Sequence, residues 1–318
     1  MARHVRGIAV LGSTGSIGRQ TLDVIRAHAG RFRVVGLAAG RNAALLAQQV
    51  REFRPALYAL DGEVGPDLPA GVAPATAEEL AAHPDVDLVV VATVGRAGLA
   101  ATLTALRHGK AVALANKEVL VMAGGLVMQA ARAGGGEVRP VDSEHSAIWQ
   151  CLVGEDPASV ARLILTASGG AFRDRPPEAL AAVTPEEALR HPTWQMGPKV
   201  TVDSATLFNK GMEAIEARWL FDVPLDRIEV VLHRESIVHS LVEFADGSLK
   251  AQLGTPDMRL PIQYALTYPE RPPCPAPRLD LAALAALHFS RPEPDRYPCL
   301  NLAVEAGRRG GTYPAVLA

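Results

Sequence analysis

The segment Ala9–Gly18 reads AVLGSTGSIG and places three glycines, Gly12, Gly15 and Gly18, directly after an apolar run. Glycines at this spacing let a strand turn tightly into a helix whose first N–H groups can meet a pyrophosphate. The motif alone is weak, because many structural strand–helix turns resemble it. Its position between an apolar run and a helical pattern favours a dinucleotide site over a purely structural turn.

The pattern around this segment extends to about residue 115. Short apolar runs rich in Val, Ile and Leu predict strands at Gly7–Leu11, Arg33–Ala38, Leu57–Leu60, Leu88–Thr93 and Ala111–Ala115. Amphipathic runs between them predict helices at Ile17–Ala29, Ala43–Phe53, Ala77–Ala82 and Gly98–His108. Strands that alternate with helices indicate βαβ units. The predicted fold class is therefore α/β, beginning with a Rossmann-like, doubly wound parallel sheet.

The second part of the chain has a different texture, with polar loops rich in Ser, His, Asp and Glu. Strands are predicted at Arg162–Thr166 and Glu229–Leu232, and Asp246-Gly247 predicts a hairpin that joins Ser240–Phe244 to Leu249–Leu253. A proline-rich stretch begins at Pro269, and helical patterns follow at Leu279–Leu287 and Cys299–Gly307. We therefore expect a nucleotide-binding domain (1–140), an α+β catalytic domain (141–268), a linker with a short helix (269–298) and the start of a helical region (299–318).

Composition excludes several classes of protein. With 318 residues and a formal charge of −2, the chain gives no electrostatic reason to expect a nucleic-acid partner. Its longest apolar run, Val119–Ala131, is interrupted by two glycines and is shorter than a membrane span. The 3 cysteines are widely spaced, which is typical of reduced thiols in a cytoplasmic protein.

The end of the second predicted strand indicates which dinucleotide is bound. NAD sites usually place an acidic residue there for the ribose 2′-hydroxyl. This chain instead reads LAAGRN, with Arg41 and Asn42 after Gly40. A fixed cation and a flexible donor suit a 2′-phosphate, so we expect NADPH. The alternative is that Arg41 is a solvated loop charge.

A second cluster of polar residues predicts a metal site. If the backbone is extended, the carboxylates of Asp142 and Glu144 point to one face. Glu213 could supply a third carboxylate, and Lys210 shares its face if that segment is helical. Three carboxylates without His or Cys at ligand spacing favour Mg²⁺ or Mn²⁺ over zinc. The alternatives are acids on a solvated strand edge and a surface ion pair between Lys210 and Glu213.

Several neighbouring segments would complete a substrate site. Possible donors to a phosphate group are the side chains of Ser168, Ser204, Asn209 and Lys210. The segment RHPTWQMGPK around Trp194 lacks helix and strand signals, so it is either a lid over a ligand or a turn anchored by its tryptophan. Asn116, Lys117 and Glu118 follow a predicted strand at the edge where parallel sheets bind ligands.

Seven motifs occur in one order along the chain: GSTGSIG, LANKE, VDSEHSAIWQ, ASGGAFR, HPTWQMG, VDSATLFNKGMEAIEARWLF and DRYPCL. Together the motifs resemble the 1-deoxy-D-xylulose 5-phosphate reductoisomerase family of the non-mevalonate isoprenoid pathway. The resemblance implies NADPH contacts from Thr14, Gly15, Ser16, Ile17, Gly40, Arg41, Asn42, Asn116, Glu118 and Gly197. It implies a divalent metal on Asp142, Glu144 and Glu213. It implies substrate contacts from Lys117, Ser143, Ser168, His191, Ser204, Asn209 and Lys210, with Trp194 and Met196 in a closing flap.

The resemblance also implies a reaction and an assembly. The family converts 1-deoxy-D-xylulose 5-phosphate and NADPH into 2-C-methyl-D-erythritol 4-phosphate and works as a homodimer. The implied catalytic groups are Lys117, Asp142, Glu144, His191 and Glu213, with Lys117 and Glu144 as candidates for proton handling. Because the family continues into a C-terminal helical domain, the chain is expected to lack most of that domain.

Two other classes of protein compete with this interpretation. A semialdehyde or homoserine dehydrogenase would also have two domains and bind NADP, and the former needs a nucleophilic cysteine in a polar loop. Cys151 instead falls in a predicted helix. An NADP sensor without enzymatic activity would need the glycine segment but not the three carboxylates.

Overall fold

The computed structural model describes residues 5–62 and 68–318. The chain divides into two compact units. The first unit comprises Met1–Asp142 and Met258–Pro275, and the second comprises Ser143–Asp257 and Ala276–Ala318.

The first unit is built on a parallel sheet of 7 strands in the order β4-β3-β2-β1-β5-β6-β7. The strands are β1 Arg6–Leu11, β2 Phe32–Ala39, β3 Leu57–Leu60, β4 Ala73–Pro74, β5 Leu88–Val91, β6 Ala111–Leu114 and β7 Glu137–Pro140. The helices are α1 Ser16–Ala27, α2 Ala43–Phe53, α3 Ala77–Ala82, α4 Leu99–Arg107, α5 Lys117–Gly134 and, after the second unit, α10 Arg259–Thr267. The predicted doubly wound α/β fold is confirmed.

The core of this sheet explains why its strands are continuous apolar runs. Ile8, Val10, Leu88 and Val90 are fully buried on one face of the sheet, and the alternate residues of the same strands, such as Val89, are fully buried on the other, as a covered parallel sheet requires. All five predicted strands form, with ends that differ by at most two residues. The prediction missed β4, which has 2 residues, and β7, whose sequence EVRP carries two charges.

The long apolar run after β6 forms α5 rather than a strand or a loop. The helix is interrupted at Ala123, whose φ of −143° and ψ of 27° are not helical. The interruption directly precedes Gly124-Gly125, and glycine weakens the interior of a helix.

The second unit is built on a mixed sheet of 4 strands in the order β11-β10-β8-β9. The strands are β8 Val160–Ala167, β9 Ile228–Leu232, β10 Val238–Phe244 and β11 Leu249–Leu253. The helices are α6 Ser143–Leu152, α7 Pro185–Ala188, α8 Pro198–Ala205, α9 Phe208–Phe221, α11 Leu281–Leu284, α12 Pro298–Arg309 and α13 Tyr313–Leu317. The predicted hairpin forms, and Gly247 occupies its turn with a φ of +84°.

Helices α6 and α9 lie on one face of this sheet, and their contacts define the core of the second unit. Ile148 of α6 and Ala214 of α9 are buried with Leu163, Leu165 and Val242 of the sheet. This packing fixes the positions of Glu144 in the first turn of α6 and of Glu213 in the second turn of α9.

The structure divides the chain differently from the sequence-based prediction in two places. Residues 258–275 were assigned to the catalytic domain and its linker, but they belong to the first unit, where Ile262 and Leu266 of α10 are buried in its core. Residues 299–318 were expected to begin a separate helical region, but α12 packs on α9 within the second unit. The helical pattern at Leu279–Leu287 forms only the short α11. In the part of the chain that the structure describes, no helix is both long and apolar enough to cross a membrane.

Candidate active site

The glycine segment forms a tight turn between β1 and α1. Gly12 has a φ of +86°, and a Cβ at this position would lie 2.3 Å from the carbonyl oxygen of Ala92. A Cβ on Gly18 would lie 2.2 Å from the carbonyl oxygen of Gly12. Only glycine fits at either position, so α1 begins close to the strand. No side chain caps this helix and its first turn carries no acidic residue, which leaves its N-terminal N–H groups to bind an anion.

Two residues that the sequence analysis missed hold this turn in place. Ser13 is buried and donates from Oγ to Oε1 of Gln49 at 2.7 Å, while Nε2 of Gln49 donates to the carbonyl oxygen of Ser13 at 2.9 Å. Gln49 lies on α2 and is 4% exposed. Gln49 is a polar residue on the otherwise apolar face of α2. Because buried polar groups are normally paired, this position could have indicated a hydrogen-bond partner.

The residues predicted to select the cofactor follow β2. Gly40, Arg41 and Asn42 are all exposed, beyond the C-terminal end of the strand. Asn42 also has a structural role that the sequence analysis did not assign, because its side-chain oxygen caps α2 by accepting from the N–H of Leu45 at 3.1 Å. The cap occupies only the oxygen, so the Asn42 amide keeps its donor group.

Asn116 precedes α5 and is 1% exposed. Its Nδ2 donates to Oγ1 of Thr93 at 3.1 Å and to the carbonyl oxygen of Gly95 at 2.9 Å. Its Oδ1 is buried without a hydrogen-bond partner among the described residues. Buried polar atoms are normally paired, so an unpaired acceptor at the ligand-binding edge of a parallel sheet suits a donor from a bound cofactor.

Lys117 and Asp142 form an ion pair within the first unit. The Nζ atom of Lys117 lies 2.5 Å from Oδ2 of Asp142, and the two side chains are 8% and 19% exposed. Lys117 begins α5 and Asp142 follows β7 by two residues, so the ends of neighbouring strands β6 and β7 bring these residues together.

The prediction that Asp142 and Glu144 share a face assumed an extended backbone. The segment that follows Asp142 is helical instead. Helix α6 begins at Ser143, because a Ser and an acidic residue suit the first turn of a helix better than a strand. Glu144 therefore lies on the first turn of α6, where Ser143 donates from Oγ to Oε2 of Glu144 at 2.6 Å. The conclusion that Glu144 serves the site depends on helix packing, not on strand alternation.

Glu144 and Glu213 converge on one cationic atom. The Nζ atom of Lys210 lies 2.7 Å from Oε1 of Glu144 and 2.6 Å from Oε2 of Glu213. The segment is helical, so Lys210 and Glu213 share a face of α9, and Glu213 is only 1% exposed. The alternative of a surface ion pair is therefore wrong.

The charges in this cluster depend on each other. Burial alone lowers the pKa of the Lys210 ammonium, but the nearby carboxylates of Glu144 and Glu213 outweigh it, so the pKa of Lys210 is raised overall. Lys210 therefore stays charged and compensates two carboxylates. Two carboxylates aimed at one positive centre also form the kind of oxygen donor set that hard divalent cations prefer.

The polar residues beside this cluster are already engaged. Asn209 donates from Nδ2 to Oε1 of Glu213 at 2.5 Å, and Ser204 donates from Oγ to the carbonyl oxygen of Thr201 at 2.7 Å. Asn209 is thus a neighbour of Glu213. Ser204 is half-buried on α8, and its hydroxyl makes a hydrogen bond within the same helix.

Ser168 follows β8 and contacts the loop that contains Trp194. Oγ of Ser168 lies 2.8 Å from Nε2 of His191, whose Nδ1 accepts the N–H of Trp194 at 2.9 Å. Residues 191–197 adopt neither helix nor strand, as predicted, and Gly197 precedes α8. Trp194 and Met196 are both half-buried.

His239 was not singled out from the sequence, but it lies in this neighbourhood. Its ring is 6.1 Å from that of Trp194. Burial lowers the pKa of His239, and the opposing attraction of the Glu144 carboxylate does not compensate. Nothing in the sequence indicated that His239 would lie near Trp194. A histidine in a predicted strand is not informative by itself, and only the pairing of β10 with β8 brings His239 to this position.

His145 and Glu216 form a second buried pair that the sequence analysis missed. Nε2 of His145 donates to the backbone carbonyl oxygen of Glu213 at 2.9 Å, and Nδ1 lies 3.5 Å from Oε2 of Glu216. Both side chains are at most 1% exposed. The pair joins the first turn of α6 to the middle of α9, so it supports the backbone that carries Glu213.

Three family models match consecutive parts of the chain. The model of 1-deoxy-D-xylulose 5-phosphate reductoisomerase matches residues 8–124. The model of the C-terminal domain of the same enzyme matches 138–221, and the DXP reductoisomerase C-terminal domain matches 253–318. The protein of that name from Heliobacterium modesticaldum is 56% identical over 98% of this chain and 83% of its own length. The chain belongs to the 1-deoxy-D-xylulose 5-phosphate reductoisomerase family.

Further members of the reductoisomerase family agree with this assignment. The protein from Moorella thermoacetica is 57% identical over 98% of this chain and 83% of its own length. A reductoisomerase crystallised with NADPH, fosmidomycin and magnesium has a TM-score of 0.90 and 42% identity over 96% of this chain and 80% of its own. The enzyme from Zymomonas mobilis in complex with NADPH has a TM-score of 0.90 and 43% identity over 98% and 84%.

Membership in the reductoisomerase family confirms the prediction of an oxidoreductase. It also excludes the alternative that the chain is a semialdehyde or homoserine dehydrogenase. Cys151 lies on α6, and burial raises the pKa of its thiol to about 11. A thiol that stays protonated at neutral pH is a poor nucleophile. The candidate residues Asp142, Ser168, His191 and Glu213 all fall inside the matched stretch 138–221, whereas His239 lies outside the matched stretches.

Proposed function

We propose that this protein converts 1-deoxy-D-xylulose 5-phosphate and NADPH into 2-C-methyl-D-erythritol 4-phosphate and NADP⁺. The C3–C4 bond of the substrate breaks in retro-aldol fashion, and the fragments rejoin through a new carbon–carbon bond to give a branched aldehyde. Hydride transfer and one proton then reduce the aldehyde. The observation that carries the proposal is the convergence of Glu144 and Glu213 on one positive centre, in the same unit as the Ser168–His191 pair.

Asp142, Glu144 and Glu213 would hold Mg²⁺ or Mn²⁺. Two observations support this fit. Glu144 and Glu213 already share one cationic nitrogen, that of Lys210, and Asp142 directly precedes α6, the helix that carries Glu144. When bound, the cation supplies positive charge that stabilises negative oxygen during bond cleavage and reunion. The rest of the chemistry falls to side chains of the protein.

NADPH would bind along the ligand-binding edge of the first sheet. The proposal rests on the glycine turn, the uncapped N-terminus of α1 and the unpaired Oδ1 of Asn116. Arg41 would donate hydrogen bonds to the 2′-phosphate. The full set of proposed contacts is Thr14, Gly15, Ser16, Ile17, Gly40, Arg41, Asn42, Asn116, Glu118 and Gly197.

The phosphate of the substrate would be held at a distance from the reacting bonds. The proposed donors are Ser168, Ser204, Asn209 and Lys210, with His191 beside them around the phosphate, and Ser143 would contact the rest of the substrate. Binding of this remote group can drive the flap with Trp194 and Met196 to close and exclude water.

Proton transfer would involve Lys117 and Glu144. Nζ of Lys117 lies 2.5 Å from a carboxylate oxygen of Asp142, and its ammonium group offers hydrogen-bond donors. Glu144 would act both as a metal ligand and as a base. General acid–base groups need direct reach to the proton they move, so each role requires the reacting atoms of the substrate to come within hydrogen-bond distance of that side chain.

A homodimer is proposed as the working assembly. The face of the second sheet opposite α6 and α9 carries a cluster in which Arg162 lies 2.6 Å from Glu243 and also pairs with Glu229. Leu249, in the neighbouring strand β11, is 54% exposed. A face that mixes ion pairs with exposed apolar side chains suits an isologous contact between two copies. We also propose a cytoplasmic location, because none of the three cysteines forms a disulfide.

The decisive experiment is an assay of NADPH oxidation with 1-deoxy-D-xylulose 5-phosphate, with and without Mg²⁺ or Mn²⁺. We expect turnover that requires both the substrate and the cation. The same chain with Glu213→Gln should bind NADPH normally and lose turnover. Turnover that does not require the cation would refute the proposal. Absence of turnover in a protein that still binds NADPH would also refute it and would favour an NADP sensor.

A further inference from the structure

The ring of His191 connects two separate segments of the second unit. Nδ1 accepts two backbone N–H groups, from Thr193 at 3.1 Å and from Trp194 at 2.9 Å. Nε2 lies 2.8 Å from Oγ of Ser168 at the end of β8. The flap segment and the Ser168 loop are thus joined by opposite edges of one imidazole.

These contacts determine which ring nitrogen carries the proton. A nitrogen that accepts two N–H groups cannot itself be protonated, so Nδ1 holds the lone pair. In a neutral imidazole the hydrogen is then on Nε2. Nε2 must therefore donate to Oγ of Ser168, and the hydrogen bond has one direction only.

Ser168 Oγ has a second donor on its other side. The N–H of Gly170 lies 3.2 Å from this oxygen. Both contacts use the hydroxyl oxygen as an acceptor, so the hydroxyl hydrogen is left to point to an acceptor outside these groups. A phosphate oxygen accepts such a hydrogen, whereas a neutral donor group would not.

We infer that His191 is a positioning residue with two roles. Through Nδ1 it holds the backbone of the flap, a contact called the flap latch below, and through Nε2–H it makes Ser168 an obligate donor to the substrate phosphate. The inference rests on the proposed function for the identity of the ligand. It differs from a direct contact between His191 and substrate, because the ring acts through Ser168 and through the flap backbone.

The electrostatic surroundings keep His191 in the neutral form that the latch needs. Burial lowers the pKa of His191 to about 4, and the nearby guanidinium of Arg173 contributes to the decrease. Arg173 in turn donates to the backbone carbonyl oxygens of Ser168 at 3.2 Å and Arg234 at 2.9 Å. The Ser168 loop is therefore held from its backbone side as well.

Two substitutions separate the two edges of the ring. The side-chain oxygen of Asn can accept the N–H groups two and three residues ahead, as Nδ1 does, but its amide is too short to reach Ser168. The longer Gln side chain can bring an N–H donor to Ser168 but does not offer the local acceptor. His191→Asn should keep the flap latch and lose the Ser168 contact, and His191→Gln should do the reverse.

The test measures amide hydrogen exchange at residues 193 and 194 in the ligand-free protein, and KM for the sugar phosphate. In His191→Gln the two amides should exchange about tenfold faster than in the natural chain, and in His191→Asn within about twofold. In His191→Asn, KM should rise about tenfold with a smaller change in kcat. The matched controls are His108→Asn and His108→Gln, since His108 is exposed on the first unit.

A tautomer measurement makes the test independent of activity. Nitrogen-15 labelling of histidine should show Nε2 of His191 protonated and Nδ1 unprotonated at neutral pH. A protonated Nδ1, or unchanged amide exchange in His191→Gln, would overturn the inference. If the tautomer and the exchange agree but the protein does not turn over 1-deoxy-D-xylulose 5-phosphate, the proposed function fails while the latch stands.

Discussion

The Nζ atom of Lys210 and a carboxylate oxygen of Glu213 lie 2.6 Å apart on one face of α9, and their side chains are 5% and 1% exposed. Because Glu144 contacts the same nitrogen, a single cation compensates two nearly buried anions. Removing that cation leaves an uncompensated pair of like charges, which is among the most costly changes that a protein interior can undergo.

Lys210→Met should therefore destabilise the protein by about 3 kcal/mol in the absence of divalent cations. Added Mg²⁺ should restore part of the loss, because it supplies positive charge between the same carboxylates. Thermal unfolding with and without Mg²⁺ measures both effects. Arg309→Met is the control, since Arg309 pairs with Glu305 on an exposed helix face, where solvent screening leaves an ion pair little effect on stability. Equal stability of the Lys210→Met and natural chains would contradict the prediction.

Glu213→Gln keeps the shape of the side chain but removes its charge. Loss of even an outer-shell partner typically costs 10–100-fold in metal affinity or activity, so we expect at least about a 100-fold loss of Mg²⁺-dependent turnover. NADPH affinity, measured by fluorescence titration, should stay within about twofold, because Glu213 lies in the other unit from the glycine turn. Glu305→Gln, an exposed glutamate on α12, should change neither quantity.

Arg41→Glu tests how the cofactor is selected. Exchange of a cation for an anion beside the proposed 2′-phosphate should raise the dissociation constant for NADPH about tenfold or more, equivalent to about 1.4 kcal/mol. The dissociation constant for NADH, which lacks this phosphate, should change much less. Arg132→Glu is the control because Arg132 is exposed at the end of α5. A similar loss for both dinucleotides would instead show that Arg41 contacts a part they share.

The pKa of His191 makes a specific contribution to pH-dependent stability. Its pKa is lowered from an ordinary 6.5 to about 4 in the folded protein, so the unfolded chain binds more protons between these values. The contribution is therefore complete above about pH 6.5 and is lost progressively as the pH falls towards 4. Denaturant unfolding from pH 7 to 4 should show a steeper loss for the natural chain than for His191→Asn. Parallel curves would show that His191 titrates normally.

Cys151 should be unreactive in the folded protein. Burial raises the pKa of its thiol to about 11, and thiolates rather than thiols are the reactive species. Alkylation by iodoacetamide at neutral pH, followed by mass spectrometry, should label Cys151 only after unfolding. Labelling of Cys151 under native conditions would show that α6 opens far more readily than its packing suggests.

Much of the first unit could be predicted from the sequence because its signals are local. Strand β3 and helices α2 and α3 have the predicted ends, since apolar periodicity and capping residues such as Thr76 and Asn42 act within a few positions. β7 was missed because its charged EVRP sequence lacks the apolar run of a buried strand. Residues 258–275 were misplaced because nothing local tells a helix which of two cores it will join.

The candidate site divides in the same way. Residue types and spacing determined that Lys210 and Glu213 would share a face and that a glycine turn would precede α1. The conclusion for Asp142 and Glu144 began from an extended backbone that the structure replaces with the first turn of α6. His239, Gln49 and the His145–Glu216 pair were not predicted, because each depends on a partner at least 36 residues away.

By itself, the sequence determined the α/β class and the glycine turn, since each is written in neighbouring residues, whereas the role of Arg41 in cofactor selection and the three carboxylate donors stay predictions. Only the tertiary structure decided that α6 and α9 pack side by side on one sheet and bring Glu144 to the cation that Glu213 holds. It alone also brought Nε2 of His191 within hydrogen-bond distance of Ser168 and its Nδ1 to the backbone N–H of Thr193. The physical reason is that hydrogen-bond direction and charge compensation depend on distances of a few ångströms between segments that the chain order leaves independent.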